Sequence, residues 1–184
     1  MRENQEVSDV LRGARGTGAE LEALQKRWQE LQPSVDGSAM PVMGRLGLLA
    51  GHREKAYAKV LAPFGLGLID AHTLQLLRLL GPGASACPSE LVRFPFDSRA
   101  GMTRALDRLE AKGLVRRSAH DEDRRRVLVF LTKEGSVVSD RFRAAELEFQ
   151  NAALQGVSKR ERQALCRTLD KMMANISEFM TEAE

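Results

Sequence analysis

Cysteine, aromatic residues and long apolar runs are all scarce in this sequence of 184 residues. Its two cysteines, Cys87 and Cys166, stand far apart and form no CxxC pair, so neither a zinc ribbon nor a disulfide framework is indicated. No apolar run approaches the roughly 18 residues that span a bilayer, and the first residues lack the apolar segment of a secretory signal. We therefore expect a cytoplasmic protein.

Catalytic and metal-binding patterns are missing as well. The sequence has no GxSxG, HExxH or GxxxxGKS/T motif, which carry nucleophilic, zinc-dependent and phosphate-binding chemistry. Its three histidines are scattered and suggest no metal set. These absences predict a protein that is not an enzyme and that uses no metal and no cofactor.

The scarcity of aromatic residues bears on the fold class. At 5% of the chain they cannot fill the core, so Leu, Met and Ala must do so, which favours helix-rich packing.

Positive charge is unevenly distributed along the chain. Residues 93–126 hold ten Lys or Arg against six Asp or Glu, whereas the rest of the chain is slightly acidic. Such a basic stretch suits a polyanionic partner.

Two helices are predicted near the N-terminus. Apolar residues recur there at helical spacing, namely Leu21, Leu24, Trp28 and Leu31. This pattern predicts a helix over residues 19–32. A second helix is predicted over residues 40–62, with Ser38 as its cap and Pro41 in its first turn. Residues 1–18 contain three glycines among polar residues and are predicted to form a flexible arm.

Three further helices are predicted before the chain changes character. They cover residues 69–80, 88–94 and 99–112. In the first of them, leucines are predicted to face the core, namely Leu74, Leu77 and Leu80 or their neighbours. Asp97 or Ser98 caps the third helix, and Gly113 ends it. A helix, a short helix, a turn and a longer helix in this order are typical of a helix-turn-helix pair.

A β-hairpin is predicted after Gly113. Val127–Leu131 is an unbroken apolar and β-favouring run, and Leu114 with Val115 starts the opposite strand. The loop between them, HDEDRRR, is too charged to be buried. The hairpin therefore predicts the wing of a winged helix-turn-helix domain, over residues 67–135.

Helices are also predicted after the hairpin. One begins at Thr132 and reaches about residue 155, and Ser158 with Glu161 forms a capping box that starts the last one. Its apolar residues follow a near seven-residue pattern, namely Leu165, Leu169, Met172, Ile176 and Phe179. The prediction is a mainly α fold with a small β-hairpin. The winged domain lies between N-terminal helices over residues 19–66, for dimerisation and ligand binding, and C-terminal dimerisation helices over residues 136–184.

Side chains suited to double-stranded DNA cluster in the winged domain. Its longer helix can enter the major groove, where the N-terminal half of a recognition helix reaches base edges. Candidate contacts on this helix are Ser98, for a phosphate, and Arg99, Thr103, Arg104 and Arg108. In the loop, Arg124 and Arg125 suit a narrow minor groove, and Asp123 can hold one guanidinium in place. The alternative interpretation of the loop is a solvated charge run.

Three short motifs stand in and around the predicted wing, namely Asp123-Arg124-Arg125, the segment DRLEAKGLV and Leu131-Thr132-x-x-Gly135. They resemble the wing signature Asp-x-Arg, a typical segment and the LTxxG motif of the MarR (multiple antibiotic resistance regulator) family. The resemblance implies a homodimer with interlocking terminal helices that represses transcription at a pseudo-palindromic operator. The sequence departs from the family pattern at Phe94-Pro95-Phe96, where the turn of the helix pair is usually small.

The N-terminal part is similar to a urate-responsive subgroup of this family. In that subgroup a tryptophan of the first helix lines a ligand pocket, and Trp28 matches it. The acidic pocket position falls on His72, and two arginine positions fall on Leu79 and Ala105. The similarity makes Trp28 and His72 candidate contacts for a small aromatic or purine-like ligand. For both residues, ordinary packing is the alternative.

Two other functions are compatible with the sequence. A winged domain can bind proteins instead of DNA, and binding that is indifferent to salt would identify that case, because phosphate contacts release counterions. A thiol-based redox sensor is the other alternative, since Cys87 stands at a predicted helix N-terminus. A capping or partly buried thiol is the simpler interpretation of Cys87.

Overall fold

The computed structural model describes residues 17–92, 98–119 and 126–182. Its helices are α1 (Gly18–Leu31), α2 (Met40–Leu61), α3 (Leu68–Leu79), α4 (Pro88–Leu91), α5 (Arg99–Ala111), α6 (Lys133–Ala153) and α7 (Lys159–Glu182), and its strands are β1 (Ser85–Ala86), β2 (Val115–Ala119) and β3 (Val127–Leu131). The chain forms two compact units. The first comprises the described parts of residues 1–73 and 88–109, and the second those of residues 74–87 and 110–184.

In the first unit, α1 and α2 form a helical hairpin. A capping box starts α1, because Thr17 Oγ1 accepts the N–H of Glu20 and the Glu20 carboxylate accepts the N–H of Thr17. Gly44 has no side chain and so leaves space for Leu21. Both helices and the place of Pro41 are as predicted, whereas the predicted cap at Ser38 is wrong.

The N-cap of α2 is Ala39, which makes no side-chain capping bond. Ser38 instead donates its N–H to Asp36 Oδ1 over 2.9 Å, so it belongs to the preceding turn. This hydrogen bond, together with one from the Ser38 side chain, lowers the pKa of Asp36. Ser38 therefore stabilises the turn before α2 and does not cap the helix.

The core of the first unit lies where α5 packs on the start of α3. Met102, Ala105, Leu106 and Leu109 form the buried side of α5, and Leu91 of α4 is also buried. α4 ends at Leu91, so the predicted extension to residue 94 is wrong at least for Val92, which is not helical. The sequence supplies a reason, because Pro95 has no N–H to donate to the Leu91 carbonyl in a continued helix.

The second unit contains a small antiparallel sheet with strand order β1-β3-β2. The predicted hairpin is confirmed, with Val115 opposite Leu131 and Ala119 opposite Val127. β1 was not predicted, because two residues are too short for a periodic pattern. Leu74 and Leu77 of α3 are buried as predicted. Leu80 is half-exposed, contrary to the prediction, because it follows the last residue of α3.

The C-terminal helices begin as predicted. The Thr132 side chain accepts the N–H of Gly135 at the start of α6, and Ser158 and Glu161 form the capping box of α7. Phe142 is the largest fully buried side chain of α6. Along α7, by contrast, large apolar side chains are exposed, namely Leu165, Met173, Ile176, Phe179 and Met180. This α7 surface has no cover within the described chain.

Within the described ranges, no single helix is both long and apolar enough to cross a membrane. The segments Met40–Phe64 and Leu68–Leu79 reach that length and composition only as a pair, and the pair is bent by 69° at its break.

Candidate nucleic-acid interface

α5 begins with a cap that the sequence predicts. Ser98 Oγ accepts the N–H of Gly101 over 3.0 Å, and the Ser98 carbonyl accepts the N–H of Met102 over 2.8 Å. Gly101 is buried, and a Cβ there would lie 3.0 Å from both Ile69 Cδ1 and Ser98 Oγ. A glycine at this position thus lets the first turn of α5 approach α3 closely. Asp97, the other predicted cap, lies outside the described residues.

The two sides of α5 differ completely in polarity. The residues packed on the core are Gly101, Met102, Ala105, Leu106 and Leu109. Arg99, Thr103 and Arg104 are exposed on the other side, in the N-terminal half of the helix. The Thr103 hydroxyl donates to the Arg99 carbonyl over 3.0 Å. The structure therefore brings three of the predicted DNA contacts together on one accessible surface.

Arg108 stands one turn further along α5 and is engaged by a carboxylate. Its Nη2 lies 2.6 Å from Asp70 Oδ1 and its Nε 3.2 Å from Asp70 Oδ2. Hydrogen bonding to Asp70 raises the pKa of Arg108 above its ordinary value. Half of the Arg108 side chain stays exposed, while that of Asp70 is only 2% exposed. Sequence analysis did not identify Asp70, because an acid in the first turn of a helix usually just complements the helix dipole.

The wing strands carry further arginines that sequence analysis counted but did not single out. The Arg116 guanidinium lies 3.9 Å from the ring centre of Phe130, its partner across the hairpin. Arg117 pairs with Glu110 at the end of α5 over 3.4 Å. Pairing the two strands residue by residue from the predicted hairpin would have placed Arg116 opposite Phe130. The wing-tip candidates Asp123, Arg124 and Arg125 lie outside the described residues.

Of the two cysteines, Cys166 is exposed and Cys87 is buried. Arg126 Nη2 lies 3.2 Å from Cys87 Sγ, at the start of β3. A buried thiol at this position matches the simpler of the two predictions for Cys87. Among the described residues, no group of three or more His, Cys, Asp or Glu side chains is arranged to hold a metal ion.

The two candidate ligand contacts lie on different helices of the first unit. Trp28 on α1 is 50% exposed, and His72 on α3 is partly buried. A cavity of about 360 Å³ in this unit is lined mainly by α2 residues, including Arg53, Tyr57 and Leu61. Neither Trp28 nor His72 is among the described residues that line it.

Comparison with known proteins identifies the family. The model of the MarR family matches residues 72–127, which include α4, α5 and the first wing strand, β2. The crystal structure of a MarR-family transcriptional regulator from Silicibacter pomeroyi is 32% identical, with a TM-score of 0.54. The match covers 76% of this chain and 90% of that one. The HTH-type transcriptional regulator PecS of Dickeya dadantii (strain 3937) is 28% identical over 85% of this chain and 96% of its own length.

A third relative is described with a ligand. Bordetella bronchiseptica BpsR, whose structure concerns regulation of its DNA binding by 6-hydroxynicotinic acid, is 25% identical. That match covers 67% of this chain and 91% of BpsR, with a TM-score of 0.53. The family model, the S. pomeroyi regulator, PecS and the fold all indicate the same family. The chain belongs to the MarR family and is a DNA-binding transcriptional regulator with a winged helix, not an enzyme.

Proposed function

We propose that the protein is a dimeric repressor that binds a pseudo-palindromic operator, with α5 of each subunit in a major groove. The observation that carries this proposal is the exposed side of α5. Arg99 and Arg104 offer charge-assisted donors suited to guanine, and Thr103 offers a methyl and a hydroxyl group for a neighbouring base. Their position in the N-terminal half of α5 is the part of a recognition helix that reaches base edges.

Other predicted contacts position the protein on the duplex. Ser98 and the N–H groups of the first turn of α5 suit a phosphate, because helix N-termini carry partial positive charge. Arg124 and Arg125 are proposed for the minor groove beside the wing, with Asp123 holding one of them. Arg108 keeps an exposed half and adds positive potential behind Arg104. These contacts fix register, whereas the base contacts determine sequence preference.

The uncovered apolar side chains of α7 support a homodimer. Ile176 and Phe179 are 48% and 73% exposed, and Leu165 is 46% exposed on the same side of the helix. Contiguous apolar surface of this kind marks a protein contact in a DNA-binding protein. Two-fold symmetry then places two half-sites about one helical turn apart, roughly 34 Å. The DNA partner also implies the cytoplasmic location that the sequence predicts.

Release from DNA by a small aromatic or purine-like ligand completes the proposal. It is supported by the ligand of BpsR and by the half-exposed indole of Trp28, with His72 as the second candidate contact. Titration of 6-hydroxynicotinic acid and urate into the protein–DNA complex tests it. We expect Trp28→Ala to weaken release at least tenfold and Leu31→Ala, which changes an equally exposed neighbour, to leave it unchanged. No release by either compound, or equal effects of both variants, would contradict this part.

The DNA-binding proposal is tested by selection of bound duplexes from a random pool, followed by titration at several salt concentrations. We expect one enriched sequence and an affinity that falls steeply with salt. If the winged domain binds a protein instead of DNA, no duplex is enriched and the affinity for the protein partner does not depend on salt. A thiol sensor predicts that peroxide abolishes DNA binding and that Cys87→Ser prevents this loss.

A further inference from the structure

Asp70 is the most unusual charged group in the first unit. Its side chain is only 2% exposed, yet it accepts hydrogen bonds from the N–H of Gly67 and from two nitrogens of Arg108. The Gly67 bond is 2.9 Å long and joins the carboxylate to the residue before α3. A buried carboxylate is tolerated only when it is paired and hydrogen-bonded in this way.

Stability alone is a weak explanation for such a pair. Burying a charge costs about as much as the attraction of its partner returns, and apolar residues of similar volume often stabilise a fold equally well. The chain also has a comparable pair at its surface, where Arg78 Nε and Nη2 lie 2.9 and 3.1 Å from the two oxygens of Asp140. There both partners are exposed, and the hydrogen bond to Asp140 raises the pKa of Arg78 in the same way.

Geometry gives the Asp70 pair a specific consequence for α5. Two other described contacts between α5 and the start of α3 are less directional: Ile69 faces Gly101, and the Thr73 hydroxyl lies 3.5 Å from Met102 Sδ. Apolar packing defines the rotation of a helix about its axis less sharply than a hydrogen bond does, because the hydrophobic effect is non-directional. A rotation of about 20° moves a side-chain tip at a radius of about 6 Å by about 2 Å, which is enough to break a hydrogen bond.

We propose that Asp70 is a positioning residue for DNA recognition, which holds Arg108 by two bonds and thereby fixes the rotation of α5 and the direction of Arg99, Thr103 and Arg104. The proposal rests on the proposed function of α5 as the helix that contacts base edges. It assigns Asp70 a role in sequence discrimination without any contact with DNA.

The test uses the full-length protein and two probes, namely the duplex enriched by the wild-type protein and a scrambled duplex of equal length. The readout is the ratio of the two dissociation constants. Asp70→Asn removes the negative charge but keeps an acceptor for the Gly67 N–H. Arg108→Lys keeps the positive charge but cannot form both hydrogen bonds to Asp70. We expect each to lower the ratio about tenfold, and Asp70→Asn to change the affinity for the scrambled duplex less than about twofold.

Two further variants complete the design. The double variant Asp70→Asn with Arg108→Lys is expected to lower the ratio no more than either single change, because both break one link. Asp140→Asn, which breaks the surface pair, is expected to leave the ratio unchanged. Circular dichroism verifies folding, and Arg108→Lys keeps the test valid if Asp70→Asn unfolds the protein.

The outcomes separate this proposal from the one on which it rests. If affinities for the enriched and scrambled duplexes fall in parallel in Asp70→Asn and Arg108→Lys, the pair supports only the fold and the positioning role is wrong. An unchanged ratio in Arg108→Lys also overturns it. If the wild-type protein itself does not distinguish the two duplexes, the proposed function fails, whatever the variants do.

Discussion

Thr132 Oγ1 lies 2.9 Å from the backbone nitrogen of Gly135 and 2.8 Å from the carbonyl oxygen of Gly113. One hydroxyl therefore caps α6 and also donates to the turn that follows α5. The N–H of Thr132 donates to the Leu114 carbonyl over 3.1 Å, which closes the base of the wing. The LTxxG motif is thus a structural junction between the wing and α6, rather than a set of DNA contacts.

This junction predicts that Gly135 tolerates no side chain. A Cβ at Gly135 would overlap the Leu114 carbonyl, which is backbone and cannot rotate away. We expect Gly135→Ala to lower the free energy of unfolding by about 3 kcal/mol, the upper part of the range for overpacked sites. Urea unfolding measures this change.

Gly47→Ala is the matched control for that substitution. Gly47 lies inside α2, and nothing would lie within 4 Å of a new Cβ there. Because alanine favours a helix more than glycine does, we expect a gain of up to about 1 kcal/mol. Equal losses of stability in the two variants would show that the junction has no special constraint.

Arg104 and Arg125 are predicted to affect DNA binding differently. Arg104→Ala is expected to cost about 1 to 3 kcal/mol and to relax preference at one base pair, because the side chain is proposed to contact a base. Arg125→Ala is expected to weaken binding to all duplexes and to reduce the salt slope by about 1, since its side chain is proposed to lie in the minor groove, where its charge displaces counterions. Fluorescence anisotropy with enriched and scrambled duplexes distinguishes these effects.

Arg160→Ala is the control for both, because it removes the same charge from an exposed position outside the winged region. Its affinity and salt slope are expected to match the wild type. If all three variants lose the same affinity, only net charge matters and the assigned surface is wrong.

Dimerisation is predicted to depend on one side of α7. Ile176→Glu places a carboxylate on the exposed apolar side and is expected to raise the dimer dissociation constant about 100-fold or more, since burying an unpaired charge is costly. Ala174→Glu adds the same charge on the opposite side of α7 and is expected to leave the dimer intact. Analytical ultracentrifugation measures both, and a monomeric wild-type protein would contradict the prediction.

The start of α7 is predicted to weaken in acid. Hydrogen bonds from the side chain and backbone of Ser158 lower the pKa of Glu161 below its ordinary value. A carboxylate whose pKa is lowered by folding stabilises the helix at pH values above its unfolded pKa and loses that effect as the pH falls through the folded pKa. Hydrogen-exchange protection in the first turn of α7 should therefore fall in this acidic range.

The comparison variant for this experiment is Glu161→Gln, which keeps an acceptor but does not ionise. Its protection is expected to start lower and to change little between neutral and acidic pH. The same acid-dependent loss in Glu161→Gln would assign the effect to another group.

Much of this fold could be predicted from local sequence patterns. Ser98, as an alternative to Asp97, and Ser158 with Glu161 were predicted as caps, and Thr132 was predicted to begin a helix, because short polar side chains in front of apolar periodic runs satisfy the first N–H groups. Gly113 was predicted to end α5, and its φ of +69° is a left-handed conformation that favours glycine.

Other features depend on contacts that no local pattern contains. β1 is too short for a period, and its pairing with β3 is visible only in the folded chain. Nothing near Arg108 in the sequence indicates Asp70, since the two residues are 38 positions apart and meet only when α5 packs on α3. Ser38 shows the opposite case, in which a local signal was present but a competing turn used it.

The central claim is that two copies of α5 occupy successive major grooves of one operator. Dimethyl sulfate footprinting of the enriched duplex tests it directly, because the reagent methylates guanine N7 in the major groove. The account predicts two protected segments whose centres lie about 10 base pairs apart, related by two-fold symmetry, with protection lost in Arg104→Ala. Unprotected guanine N7 atoms throughout a duplex that the protein nonetheless saturates would contradict it.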